Sequence, residues 1–193
     1  MLRSIYAKML ERKIKIVPKH IMIVADKELT QNFDQFLRFL DWSKKFGINE
    51  ITICFPSDCI NVNKFKDTNF FVKVIRNGKV SEFGKKGDFI LNLILGYRGK
   101  DEIVDAVKKI ASLVECGKLD VEEVDESLIE KFLIIKSSPD LIIKAGKEIP
   151  EFLTWQSIYS ELYFIDIEWK SFRYIDFLRC LRDFQRRERR YGR

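Results

Sequence analysis

Histidine is almost absent from this chain: His20 is the single one among 193 residues. The four cysteines, Cys54, Cys59, Cys116 and Cys180, form no Cys-x-x-Cys pair. One histidine and scattered thiols cannot complete a usual zinc set, so a structural zinc module is excluded. The thiols read as reduced, which points to a cytosolic setting. No apolar run reaches the length needed to span a bilayer. No signal peptide is expected, because the first residues are charged and amphipathic. No internal repeat and no low-complexity tract is visible.

What is present describes a globular protein. Hydrophobic residues make up 46% and charged residues 33%, which suits a packed core rather than a disordered chain. A length of 193 suits one domain with a full core. The net charge is +6, and much of the excess sits at the two ends, Arg3 to Lys19 and Arg186 to Arg193. The final stretch, QRRERRYGR, holds five arginines. Such charge implies an anionic partner. Nucleic acid, an anionic membrane and a specific diphosphate all satisfy it.

Residues 2–15 read as a basic amphipathic helix with Ile5, Met9 and Leu10 among its apolar positions, ended by Pro18. HIMIVAD and EITICF read as buried strands. Between them Phe33, Phe36, Leu37 and Leu40 have helical spacing, with Thr30 as candidate N-cap and Gly47 as the stop. Residues 56–69 are polar and irregular. FFVKVIRNGKV alternates around the turn pair Asn77-Gly78. DFILNLIL reads as a strand, 100–117 as a helix closed by Gly117, ESLIEKFLI as a further helix and DLIIK as a strand. Residues 155–164 are aromatic-rich, and Lys170 to Arg190 reads as one long amphipathic helix. Strands alternating with helices predict an α/β protein with a largely parallel central sheet flanked by helices. Residues 1–193 are expected to form a single domain, with 1–17 as its N-terminal helix and 170–193 as its C-terminal helix and tail. Ligands of such sheets sit beyond the carboxyl ends of the strands, where Asp26 and Lys144 fall.

Two sets of motifs carry a family resemblance. Trp155-Gln156-Ser157, the run Tyr159 to Phe164, and Gln185 to Gly192 resemble the C-terminal third of cis-prenyltransferases, the undecaprenyl and dehydrodolichyl diphosphate synthase family. IKIVPKHIMIVAD resembles the family's entry into its first strand, and GYRGKDEIVDAVKKI its Tyr-Gly-Gly-Arg-x-Glu-Ile helix start. The resemblance implies addition of isopentenyl diphosphate to an allylic diphosphate, with Mg2+ stabilising the departing diphosphate. It implies the fold of those synthases as well.

Three phosphate-handling loops depart from the family pattern. Asp26 is followed by Lys27-Glu28-Leu29-Thr30 where active members have Gly-Asn-x-Arg. Phe55-Pro56-Ser57-Asp58-Cys59 stands for Phe-Ser-x-Glu-Asn. Lys144-Ala145-Gly146-Lys147-Glu148 stands for an arginine-rich clamp, and lysine cannot reproduce a bidentate arginine fork. Scaffold kept and loops degraded resembles the non-catalytic, Nogo-B-receptor-type subunit of heteromeric enzymes. The expectation is therefore an accessory subunit, inactive alone. It would complete a catalytic partner's active site as a heterodimer or heterotetramer, through an Arg-x-Gly tail of Arg190, Tyr191 and Gly192. Mg2+ would be held mainly by that partner. The alternative is a divergent homodimeric cis-prenyltransferase active by itself. A nucleic-acid-binding role ranks last, since no binding motif is present.

The resemblance makes Asp26 and Glu161 candidate magnesium ligands. Asp26 is otherwise a remnant, and Glu161 is otherwise an interface carboxylate paired with arginine. The aromatic cluster of Trp155, Tyr159, Tyr163, Phe164 and Trp169 is expected to be dimer interface and core. His20, without a partner for catalysis, is expected to be structural. The basic N-terminal helix either packs on the domain or lies on a membrane surface, which gives a cytoplasmic chain with peripheral membrane contact.

Overall fold

The structure is a computed structural model that describes residues 2–25, 27–58, 60–66, 68–144, 151, 154–164 and 169–187. The apolar runs pair into one seven-stranded sheet. Its strands are β1 (His20–Val24), β2 (Glu50–Phe55), β3 (Phe71–Arg76), β4 (Lys79–Phe83), β5 (Ile90–Leu95), β6 (Leu141–Lys144) and β7 (Glu161–Phe164). They lie in the order β4-β3-β5-β2-β1-β6-β7. Every neighbouring pair is parallel except the β3–β4 hairpin. The α/β architecture with a largely parallel sheet is thus as the alternating pattern predicts.

Period-two alternation sends side chains to both faces of the sheet. Ile21, Ile23, Ile51, Ile53 and Phe55 join the larger core. Three helices cover that face: α1 (Leu2–Lys13), α3 (Phe33–Lys45) and α6 (Tyr174–Arg186). Aromatic rings fill it, with Phe39 5.5 Å from Phe177 and 5.8 Å from Trp169, edge to face. The alternate residues Met22, Cys54, Ile94 and Ile142 form a second cluster with Tyr97 and Ile135. On that side run α4 (Gly99–Glu115) and the short α5 (Glu126–Phe132).

Several boundaries differ from the sequence reading. A five-residue helix, α2 (Lys27–Gln31), precedes α3, and the chain breaks at Asn32. Thr30 therefore lies within α2, and the N-cap position of α3 is Asn32. α1 stops at Lys13, ahead of Pro18, because Gln185 takes over its last carbonyl: Gln185 Nε2 donates to Lys13 O at 3.1 Å. Residues 62–65 form a 3-10 turn within the segment read as irregular. Asn77 (φ 48) and Gly78 (φ 73) make the expected tight hairpin turn. β4 then runs back along the edge, doing in the plane of the sheet what a crossover helix does in most parallel sheets.

A polar network sits at the amino ends of the central strands. His20 Nε2 lies 2.8 Å from Thr52 Oγ1, and Asn92 Nδ2 donates to Thr52 at 3.0 Å and to Glu50 Oε1 at 2.6 Å. His20 is buried, and this desolvation lowers its pKa below the ordinary 6.5, against the opposing pull of Glu50 and Asp140. Folded protein thus holds neutral His20, while the unfolded chain takes up a proton at about 6.5. This contribution to stability is complete above about pH 6.5 and is lost as pH falls toward the depressed folded value. The midpoint of urea unfolding is expected to drop between pH 7.5 and 5.5, and His20→Gln should flatten that slope. An unchanged slope in the variant would place the acid sensitivity elsewhere.

Candidate active site

The carboxyl ends of the parallel strands converge on one rim. Beyond β1, Ala25 N still donates to Cys54 O at 2.9 Å, so the pairing continues to the residue before Asp26. Beyond β2 the chain turns through Pro56-Ser57-Asp58. Beyond β5, Gly96 N donates to Phe55 O at 3.0 Å. Gly96 has φ +61, and a Cβ there would meet the Ser57–Asp58 backbone at 3.5–3.7 Å. The turns after β2 and β5 therefore lie against each other.

Cations reach this rim from two elements. Arg76 closes β3, and its Nε lies 2.7 Å from Asp58 Oδ2. The N–H is not aligned for a hydrogen bond there, so the contact is an ion pair alone. Both side chains are about half exposed and open to exchange with a ligand. Arg98 precedes α4 and grips Asp101 with Nε at 3.0 Å and Nη2 at 3.1 Å. Gly99 N donates to Glu151 O at 2.9 Å, which ties the segment after β6 to the α4 start. Tyr97 OH donates to Asp105 Oδ2 at 2.9 Å. Burial first, then that carboxylate, pushes the Tyr97 phenol up, so it stays protonated. Arginines and a helix amino end on one rim can hold the oxygens of a phosphate ester.

Below the rim lies a buried carboxylate. Glu102 Oε1 accepts from Ile134 N at 2.8 Å, and Oε2 accepts from Gln156 Nε2 at 3.1 Å. Gln156 Nε2 also donates to Ile135 O at 2.7 Å. The middle residue of the Trp-Gln-Ser triplet is thus a brace between α4, the 134–135 backbone and the segment leading into β7. The sequence reading missed this, although buried Glu102, Ala106 and Ile110 recur at the four-residue spacing of one helix face. It also missed Arg76, whose signal is its place immediately before the Asn77-Gly78 turn.

The predicted site residues are only partly among those described. Asp26, Arg190, Tyr191 and Gly192 lie outside the described residues. Glu161 opens β7 in register with Leu141, which pairs with Ile21 at the start of β1. It stands about 13 Å, measured along the strands, from the level of Ala25. One chain therefore does not bring Glu161 to the end of β1 for a shared metal. Its partner is instead Arg187, whose Nη1 donates to Glu161 Oε2 at 3.2 Å and to Leu162 O at 2.7 Å. Arg187 also holds Asp183, at 2.8 Å. It leaves helical geometry (ψ 132), so the helix read through Arg190 ends at Arg186.

The aromatic set divides as well. Trp169 is 5% exposed and stacks edge-on against Phe36 and Phe39, so it is core and offers no surface to a partner. Trp155 is half-buried, with Nε1 3.4 Å from Glu130 Oε1. Tyr163 lies under Arg187, 5.7 Å from its guanidinium, and burial first pushes its phenol up to about 12. Tyr159 is exposed at 61%. Phe164 pairs through its backbone with Lys144.

A parallel sheet with arginines at its carboxyl rim defines the class: an α/β protein with positive potential where such sheets place their ligands. The model of a family described as "Putative undecaprenyl diphosphate synthase" matches residues 73–192, more than half of the chain. The chain belongs to this family. It is 51% identical over 110 residues to the tritrans,polycis-undecaprenyl-diphosphate synthase (geranylgeranyl-diphosphate specific) of Methanocaldococcus jannaschii, covering 54% of the chain and 39% of that relative. A synthase of the same name from Pyrococcus furiosus is 29% identical over 235 aligned positions, 94% of the chain and 89% of the relative. Those 235 positions exceed the 193 residues here, so that relative carries segments this chain lacks. The chain spans 39–43% of the length of the first curated relatives it matches. Lavandulyl diphosphate synthase from Lavandula x intermedia, solved with dimethylallyl diphosphate, has a TM-score of 0.75 at 22% identity over 92% of this chain and 99% of that one. That likeness shows the fold.

These matches overturn the accessory-subunit expectation. The curated relatives are named as synthases, which are catalytic, and not as non-catalytic Nogo-B-receptor-type subunits. The obligate catalytic partner, the heterodimer and the chain inactive alone fall with it. The physical reason lies in the loops. A phosphate can be held by any suitably placed donor, so missing consensus residues do not by themselves amount to missing donors.

Proposed function

We propose that the chain is itself a catalytic cis-prenyltransferase, acting as a homodimer on isopentenyl diphosphate and an allylic diphosphate. The observation that supports this most is the alignment with a synthase along 94% of the chain. The name of the relatives supplies the allylic substrate class, geranylgeranyl diphosphate, and a long polyprenyl diphosphate as product. The reaction asks the protein to hold two diphosphates and to stabilise one as it departs. Arg76, Arg98 and the amino end of α4 supply positive potential at the strand-end rim. Arg190, with the Tyr191 and Gly192 backbone, is assigned to a substrate diphosphate in the second copy. Trp155, Tyr159, Tyr163 and Phe164 are assigned to the interface between copies. The chain is assigned to the cytoplasm, at the membrane periphery; among the described residues no helix is long and apolar enough to cross a bilayer.

Magnesium is the cation the resemblance implies. Among the described residues no group of three or more His, Cys, Asp or Glu side chains can hold a metal. Glu161 is committed to Arg187. The described residues therefore do not fit a metal held by protein alone. Millimolar magnesium without substrate is expected to leave the melting temperature unchanged, and a clear rise would contradict this.

The test is direct. Purified chain with magnesium, labelled isopentenyl diphosphate and geranylgeranyl diphosphate is expected to build a polyprenyl product. Complete lack of incorporation would sink the proposal. Arg190→Ala should lower turnover or raise KM, for a loss of about ten- to hundredfold, the worth of one charge-assisted phosphate contact of about 1.5–3 kcal/mol. Arg186→Ala and Arg193→Ala should matter far less. Equal losses at all three positions would refute a specific role for Arg190.

A further inference from the structure

The basic N-terminal helix α1 and the arginine-bearing helix α6 share one surface in the fold. α1 lies on α6, with Leu10 and Ile14 turned into the core. Gln185 of α6 clamps the end of α1, donating to Lys13 O and accepting from Ile16 N at 3.0 Å. Arg182 reaches Tyr6 OH at 3.5 Å. On the side of α1 away from the core, Ile5 and Met9 are each 53% exposed, one helical turn apart. Ile16 is 59% exposed just past the helix end. Lys8 and Arg12 flank this apolar stripe, both exposed. On α6, Arg179, Arg182 and Arg186 recur at helical spacing beside Tyr6.

The acids of these two helices are already engaged. Glu11 binds Lys45 at 2.6 Å, Asp176 binds Arg173 and Arg179, and Asp183 binds Arg187. Lys8, Arg12, Lys13 and Arg186 make no ion pair among the described residues. A soluble helix that packs on a domain has one apolar face; α1 has two. The outer face combines exposed isoleucine and methionine with uncompensated cations, which is the chemistry of a helix lying in the headgroup region of an anionic bilayer.

We infer that the joint α1–α6 face docks the protein on an anionic phospholipid surface, with Ile5, Met9 and Ile16 entering the acyl boundary and Lys8, Arg12, Arg182 and Arg186 meeting headgroups. This deepens the peripheral localisation assigned above and rests on it, but not on the chemistry of the active site. Vesicle binding and prenyl transfer are read separately, so either can fail alone.

The test is co-sedimentation of the full chain with vesicles of phosphatidylcholine containing phosphatidylglycerol, against pure phosphatidylcholine. Binding is expected to the anionic vesicles, to weaken steeply between 50 and 500 mM salt, roughly as screening of surface charge dictates, and to be slight on neutral ones. Ile5→Ser with Met9→Ser should weaken the partition at least about tenfold. Lys8→Gln with Arg12→Gln should weaken it about thirtyfold. All four side chains are exposed, so the melting temperature should not move. Val121→Ser, at a residue 62% exposed in the short 3-10 turn after α4, serves as the control and should change nothing. Absence of binding to anionic vesicles at low salt would overturn the inference. So would a loss in Val121→Ser equal to that of the α1 variants. If sedimentation velocity instead shows a dimer that Ile5→Ser with Met9→Ser dissolves, the face is covered by a second copy and the lipid assignment is wrong.

Discussion

Alanine at Gly84 is expected to cost about 3 kcal/mol or more, a large share of the roughly 5–15 kcal/mol that holds a domain together. Gly84 carries the chain from β4 toward β5 with φ +88, a region L residues rarely adopt. A Cβ there would sit 2.1 Å from Phe70 O and 3.1 Å from Phe70 C. Both are backbone atoms and cannot swing aside. Phe70 is itself buried, its ring 5.3 Å from that of Phe89. The hairpin edge would have to separate from the core to make room. Gly47 is the comparison: its φ is +75, but nothing lies within 4 Å of an added Cβ. Gly47→Ala should therefore show backbone strain alone, about 1 kcal/mol. Urea unfolding of both variants measures the difference. Equal midpoints would mean that the close approach at Phe70 is not made.

Removing the Glu102 side chain comes next in size. Glu102→Ala strips an acceptor from the backbone N–H of Ile134 and from the Gln156 amide, both in a dry setting. Unmaking a buried, hydrogen-bonded carboxylate costs about 3 kcal/mol or more. Glu102→Gln keeps the shape but offers one acceptor oxygen to three donors, the Ile134 and Ile135 N–H groups and the Gln156 amide, for about 1–2 kcal/mol. Gln156→Ala should lose less from the Glu102→Ala background than from the wild type, with a coupling of about 1 kcal/mol. Strict additivity would show that the two side chains do not act as one brace. The brace also sets the start of α4, where Arg98 stands, against the segment leading to β7. If the chain has the proposed prenyl-transfer activity, Glu102→Gln is expected to lose it beyond what its unfolded fraction explains.

Much of the fold was legible because it is local. The short apolar runs EITICF and DFILNLIL, the Asn77-Gly78 turn, and glycine stops at 47 and 117 each follow from preferences within a few residues. The break at Asn32 was not legible, since the apolar spacing runs on through it and only packing against the sheet decides where the helix axis bends. The site was legible only as a set of loops. Motif comparison showed which consensus residues had gone from them. It could not show that Arg76, far along the chain from Asp58, arrives beside it at the same rim. Trp169 illustrates the same limit: an aromatic in a motif reads equally as interface or core, and its contacts with Phe36 and Phe39 lie some 130 residues away in sequence.

The sequence by itself determined the α/β class, the basic ends and the family resemblance, because composition, periodicity and motif order are written along the chain. The tertiary structure alone decided what those parts do together. It made basic α1 and the arginines of α6 one face, because both helices bury their inner stripes against the same side of the sheet. It paired Glu161 with Arg187 at the amino end of β7, away from the carboxyl rim, because strand register fixes height along the sheet and residue identity does not.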